Sequence, residues 1–393
     1  MSESTRPWAF RSAIVVCIAA LACAGVSCGS EERTSAGEGA AASVTVDDPV
    51  AVKVPDLVRE KLGELGLSAA VFGVWRGDEE LAAGALGESP LGVPANREMR
   101  LRVGQPMEPM LSTVLLQLHE AGVVNLDEPI AKWVPGFPRA DKITPRMLAN
   151  STTGIADYVT DPEFLKRFYA NPMHGWTAQE IFDLANARPP LFEPGASWAY
   201  AHSDLTLLGV VLEKATGKQL GELLEQRVFE PLGMGRSDVV LTPQIGEPIL
   251  HGYTTERGVF EDSTFWNPTA FLHSGNMNAT LADVARWVRA LATGELLSDA
   301  MYDLQMSDST AGLGPLTPQK YFAFGTGHIG TWLVMNPAFG GYNGLAIHEH
   351  DSKTTIVVYA TLGPTANADT NNAVPIGEAI AKLIVPDRPL KLG

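Results

Sequence analysis

Apolar positions along the chain change period twice. From Val54 to Leu65, Leu57, Val58, Leu62 and Leu65 recur on one helical face and predict an amphipathic helix. The next stretch, SAAVFGVWRGDEELAAGALG, predicts two strands around the turn Arg76-Gly77-Asp78-Glu79. A mixed, helix-rich region follows from about 100 to 300. Short apolar runs return between Tyr321 and Leu362. There YFAFGTGHIG, TWLVMN, YNGLAIHEH and TTIVVYATL predict four strands, separated by Gly, Pro and Asp-Ser turns. The final run, AVPIGEAIAKLIV, predicts a helix. Strands at both ends with helices between them imply an α+β fold: one antiparallel sheet built from the N- and C-terminal strands, flanked by helices, with an inserted helical subdomain. The expected sheet parts are about 50–100 and 315–393, and the mostly helical part is about 101–314.

One predicted helix stands out. Met107, Met110, Leu111, Val114, Leu115, Leu118 and Ala121 give it a broad apolar face, and Gly122 is a natural stop. If it begins near Gln105, Pro106 and Pro109 fall in its first turn, where N–H groups have no intrahelical partner and a proline costs little. Such a helix is expected to be buried at the centre of its subdomain.

The N-terminus follows a different logic. Arg6 and Arg11 precede the apolar run AIVVCIAALACAGV, the pattern of a signal peptide over 1–28. The run ends at GVSCGS, which resembles a bacterial lipoprotein cleavage site. Cys28 is the expected lipidated residue, with Cys23 after Ala-Leu-Ala as the rival. The chain's cysteines are Cys17, Cys23 and Cys28, so the mature protein would hold no internal disulfide. Residues 29–49 are small and polar and read as a flexible tether, placing a domain over 50–393 outside the cytoplasm, anchored to the membrane by lipid. The formal charge of −16 offers nothing to a polyanion, so nucleic acid is excluded as a partner. The 45% hydrophobic content is enough for a sizeable core.

Four passages carry a shared signature: LRVGQPMEPMLSTVLLQLHEAGVVNLDEPIAKWVPGFP, ITPRMLANSTTGIADY, WAYAHSDLTLLGVVLEKATGKQLGELLEQRVFEPLGMGRS and SGNMNATLADVARWVRALATGELLS. Together they resemble the serine β-lactamase and D-alanyl-D-alanine carboxypeptidase family, in its class-C-like, penicillin-binding-protein-related branch. The resemblance covers about 55–385. It implies a nucleophilic serine and a lysine in a Ser-x-x-Lys motif, a Tyr-x-Asn motif for proton transfer, a third basic motif on a bordering strand, and an oxyanion hole of backbone N–H groups.

Matched position by position, most of that chemistry is missing. The serine falls on Gln105 and the lysine on Glu108. Tyr200 is kept, but His202 replaces the asparagine. The third motif falls on Met335, Asn336 and Pro337, without its basic residue. No serine in the folded part has a lysine three residues on. Thr317 and Lys320 have that spacing around a proline outside any helix, and Ser112 reads as a packing residue.

Other candidates read as structural. His348 and His350 share one strand face but have no third ligand in sequence, so a partly exposed edge-strand pair is expected rather than a metal site. His273 and His328 read as lone polar side chains. Trp176, Trp198, Trp266 and Trp332 read as core or rim, with Trp198 and Trp266 the two that could line a cleft. No cofactor is implied. The expected ligand cleft holds Glu108, Trp198, Tyr200 and His202. The expected function is a β-lactamase-related lipoprotein of the cell envelope that has lost acyl-enzyme catalysis and binds a peptidoglycan fragment, a lipid or an envelope protein. The alternatives are a rearranged esterase- or carboxypeptidase-like hydrolase using Glu108, Tyr200 or His202, and a purely structural envelope protein.

Overall fold

The computed structural model describes residues 48–392 together with the short strand Ser43–Val44. Cys28 and the segment read as a signal peptide lie outside the described residues. Among the described residues the main sheet has nine strands, all antiparallel neighbours. Its order runs Ser43–Val44, Glu79–Gly87, Leu67–Arg76, Thr354–Leu362, Tyr342–Glu349, Trp332–Met335, Thr326–Ile329 and Lys320–Ala323, with Ala338–Phe339 pairing off Tyr342–Glu349. The two ends of the chain therefore meet at the pairing of Leu67–Arg76 with Thr354–Leu362.

Alternation along these strands sends side chains to two separate cores. Ala70, Phe72, Val74, Ile356 and Val358 pack against the helices Val54–Glu64 and Ala373–Ile384. Ala69, Val71, Trp75, Val357 and Tyr359 face the other way, into the helix Leu281–Thr293 and the helical subdomain. Both faces of the sheet are covered, and that is why its central strands read as nearly continuous apolar runs.

Three expectations need correction. The tether of 29–49 ends early, because Ser43–Val44 pairs with Glu79–Gly87 and the Asp48 carboxylate accepts from the N–H groups of Val50 and Ala51. YFAFGTGHIG is two strands, not one. Phe324 and Gly325 both take positive φ (45° and 87°) and fold the run into a hairpin. His348 does not lie on an exposed edge: its strand is flanked on both sides and its side chain is buried.

Candidate functional site

The expected central helix is present as a short 3-10 turn, Gln105–Met107, that runs into the α-helix Glu108–Glu120. Pro106 and Pro109 occupy the first turns of these two segments, and the helix is buried from Glu108 to Leu116. Two glycines fix its entrance. Gly104, at φ 64°, lets the chain pass Pro337; a Cβ there would lie 2.8 Å from the proline Cβ. Gly325, at the tip of the hairpin, packs onto the backbone of Glu108 and Pro109, where a Cβ would approach to 2.7 Å. Helix start, hairpin and the Asn336–Pro337 connection are thereby locked together.

Gln105 and Glu108 are both tied into this junction. The Gln105 side-chain oxygen accepts the Asn336 backbone N–H at 2.8 Å. The Tyr200 hydroxyl donates to Glu108 Oε1. Glu108 is fully buried, and its Oε2 has no hydrogen-bond partner. Burial pushes its pKa up to about 8; nearby His202, the Tyr200 hydroxyl and the Gln105 amide favour the charged form but are outweighed. At neutral pH Glu108 is thus a carboxylic acid. Tyr200 is raised far above the usual phenol range by burial, and the neighbouring Glu108 adds to this.

His202 opens the helix His202–Thr216, and Asp157 reaches its first N–H from the loop after the Ser-Thr-Thr-Gly segment. One Asp157 oxygen accepts the His202 backbone N–H at 3.2 Å, and the carboxylate also lies 3.2 Å from the ring Nδ1. Burial alone would lower the His202 pKa, but the Asp157 carboxylate reverses this and raises it. Nothing adjacent in sequence marks Asp157 within ITPRMLANSTTGIADY, because its partner lies 45 positions away. The site therefore contains two coupled pairs, Tyr200–Glu108 and Asp157–His202.

These pairs line one wall of a cavity of about 540 Å³. Phe271 and Phe339 form an apolar wall, their ring centroids 3.9 Å apart. Glu256 and Asp369 also line it, and neither was visible as a site residue in sequence. Asn336 and Pro337 line the cavity, whereas Met335 is fully buried and points into the core, so the expected third-motif register places only Asn336 and Pro337 at the site. Trp198 is also displaced from expectation. It lines a smaller adjoining pocket of about 260 Å³, with Asp157, Thr160 and Tyr200 shared between the two.

Every hydroxyl at the large cavity's wall is committed to an oxygen acceptor. Thr160 donates to the Asp157 carbonyl, Ser274 to the Phe271 carbonyl and Thr370 to the Asn367 carbonyl. Tyr342 and Tyr359 donate to the Leu250 and Val103 carbonyls. Among the described residues no lysine lines the cavity. Its one arginine, Arg102, is spent on Asn278 Oδ1 at 2.9 Å and the Pro243 carbonyl at 2.6 Å.

The remaining candidates sit elsewhere. Ser112 packs inside the central helix, its hydroxyl turned to the Glu108 carbonyl. Trp176 and Trp266 are core residues, and Trp332 belongs to the opposite core. His328 stacks on Tyr321, and His348 Nδ1 lies 2.8 Å from the Thr355 hydroxyl, both on the sheet away from the cleft.

A family profile described as Beta-lactamase matches residues 54–379. The chain belongs to the beta-lactamase family. Over 250 residues it is 27% identical to the D-alanyl-D-alanine-carboxypeptidase/endopeptidase AmpH of Escherichia coli K12, a match covering 61% of this chain and 62% of that protein. It is 30% identical over 198 residues to esterase EstB of Burkholderia gladioli, covering 47% and 50%. The chain thus spans less than two thirds of the length of these curated relatives. The fold superposes on a D-stereospecific amidohydrolase from Streptomyces sp. with TM-score 0.73 and 26% identity, covering 84% of this chain and 98% of that one. The α+β, transpeptidase-like architecture expected from the sequence is the one these matches share.

Proposed function

We propose that this beta-lactamase-family protein is a lipid-anchored binding protein of the cell envelope that no longer forms an acyl-enzyme. The reading rests above all on the helix entrance. The serine position is an amide holding the Asn336 N–H, and the lysine position is a neutral carboxyl holding Tyr200. Acyl transfer in this family needs a hydroxyl beside a proton acceptor. Here the hydroxyls at the cavity wall are engaged with other oxygens. In a serine hydrolase, removing the nucleophile and base lowers the rate by about a million-fold. The cavity itself persists, with room for a sugar–peptide fragment or a lipid headgroup. Lipidation at Cys28 would hold it at the membrane.

Purified protein is incubated with a fluorescent penicillin and with p-nitrophenyl esters. No covalent band and no ester hydrolysis above a heat-denatured control are expected; a stable adduct at any residue would overturn the reading. For the anchor, a Cys28→Ala chain is expected to move from the membrane fraction to the soluble envelope fraction; retention at the membrane would refute lipidation there.

The Asp157–His202 pair favours a second reading, a hydrolase that activates water directly. An imidazole oriented by a carboxylate is a competent general base. That reading predicts ester hydrolysis that disappears in His202→Gln while the fold persists. Glu108, being protonated, would not be its base.

A further inference from the structure

Among the described residues the cavity's carboxyl groups have no free lysine or arginine. Arg102 is occupied by Asn278 and backbone carbonyls, and His202, which lies near Glu108, is held by Asp157. Glu108, Glu256 and Asp369 remain, all lining the same cavity, and among the described residues none forms an ion pair with a lysine or arginine. A free carboxylate entering this space would meet Glu256 and Asp369 and no free lysine or arginine. The second observation is Glu108: the residue lines the cavity, its side chain is fully buried, and its Oε2 has no hydrogen-bond partner. A buried oxygen left unpaired costs about 1–3 kcal/mol, which a donor arriving from the cavity would recover. The Phe271 and Phe339 rings line the same cavity and suit an apolar body.

We propose that the cleft selects a cationic, amine-bearing ligand with an apolar body, its ammonium donating to Glu108 Oε2 while Glu256 and Asp369 supply the surrounding negative field. The inference rests on the proposed binding role and adds its ligand class. In the family the cation at this turn belongs to the protein; here it would be brought by the ligand.

Proton linkage gives the sharpest signature. Free Glu108 carries a proton at neutral pH, and an ammonium at Oε2 favours its carboxylate, so binding releases that proton to the buffer. Tyr200, His202 and Asp157 face Glu108, and Tyr169, Glu261 and Asp369 surround Glu256, so their charges set the background against which this release is read.

The test uses three probes of one shape on the purified full chain: phenethylamine, 2-phenylethanol and 3-phenylpropionate. Calorimetry at pH 7 in phosphate and in Tris, whose ionisation enthalpies differ, measures affinity and proton release together. Expected are binding of the amine at least tenfold tighter than either isostere, release of one proton or slightly more, and loss of most of that release in Glu108→Gln. Burial also raises Glu256, to about 7, so Glu256→Gln is expected to weaken the amine about threefold and to remove only the smaller part of the release. If the alcohol or the acid binds as well as the amine, the charge selection is wrong while the cleft remains a ligand site. If the amine binds with no proton release in the wild type, the assignment to Glu108 fails, whatever the variants do. If none of the three binds, the binding role fails and this inference with it.

Discussion

Replacing Glu108 by glutamine should stabilise the protein, and by an amount that depends on pH. Glu108 is isosteric with Gln, whose amide oxygen can still accept the Tyr200 hydroxyl and whose NH2 group occupies the place of the unpartnered Oε2. In the unfolded chain the carboxyl titrates near 4.5; in the fold burial holds it at about 8. Below pH 4.5 both states carry the proton and the pKa difference contributes no pH dependence. Between 4.5 and about 8 the unfolded chain ionises and the folded one does not, so stability falls as pH rises. Each pKa unit corresponds to about 1.4 kcal/mol, so the penalty is about 3 kcal/mol at pH 7 and saturates near about 5 kcal/mol. Glutamine does not titrate and escapes it. Urea unfolding of both proteins from pH 4.5 to 8.5 reads the difference directly. Coincident midpoints at pH 4.5 should separate progressively in favour of Glu108→Gln. A constant gap, or a wild type that is more stable at pH 8, would show that Glu108 is ionised in the fold and would remove the argument for its neutral state.

Three further outcomes follow from the same geometry. Burial lowers His328 to about 3 and His348 to about 4, so the fold should lose stability as pH falls from 6.5 toward 4, by about 3 kcal/mol for His348 alone; a flat urea midpoint over that range would refute it, and His328→Phe should flatten the slope. Asp157→Asn should lower the His202 pKa, because burial is then opposed by Glu108 alone; an NMR titration of the imidazole that shows no downward shift would refute the pairing. Gly325→Ala places a Cβ against the helix entrance at a positive φ and should cost at least about 2 kcal/mol in denaturant unfolding; an unchanged midpoint would mean that the hairpin does not brace the helix.

Much of the architecture was readable because its signals are local. The short apolar runs at Leu67–Gly87 and Tyr342–Leu362 and the apolar central helix with its early prolines needed only near neighbours to be recognised. The hairpin within YFAFGTGHIG was harder to see, since Phe324 takes its left-handed conformation against its own preference. Its backbone N–H is held by Asn150, 174 positions away, and Gly325 is pinned to the helix start. His348 was misplaced for a related reason: whether a strand is central or at an edge is a property of the sheet, not of the strand.

The sequence by itself determined which chemical groups the chain has given up: an amide and a carboxyl stand at the matched serine and lysine positions, whatever the fold. Only the tertiary structure decided what those groups became. It buried Glu108 until it holds its proton, turned Gln105 onto a backbone 231 positions away, and set Asp157 beside His202. The physical reason is that identity is carried residue by residue, whereas ionisation and hydrogen bonding depend on solvent exclusion and on partners that only folding brings within 3 Å or so.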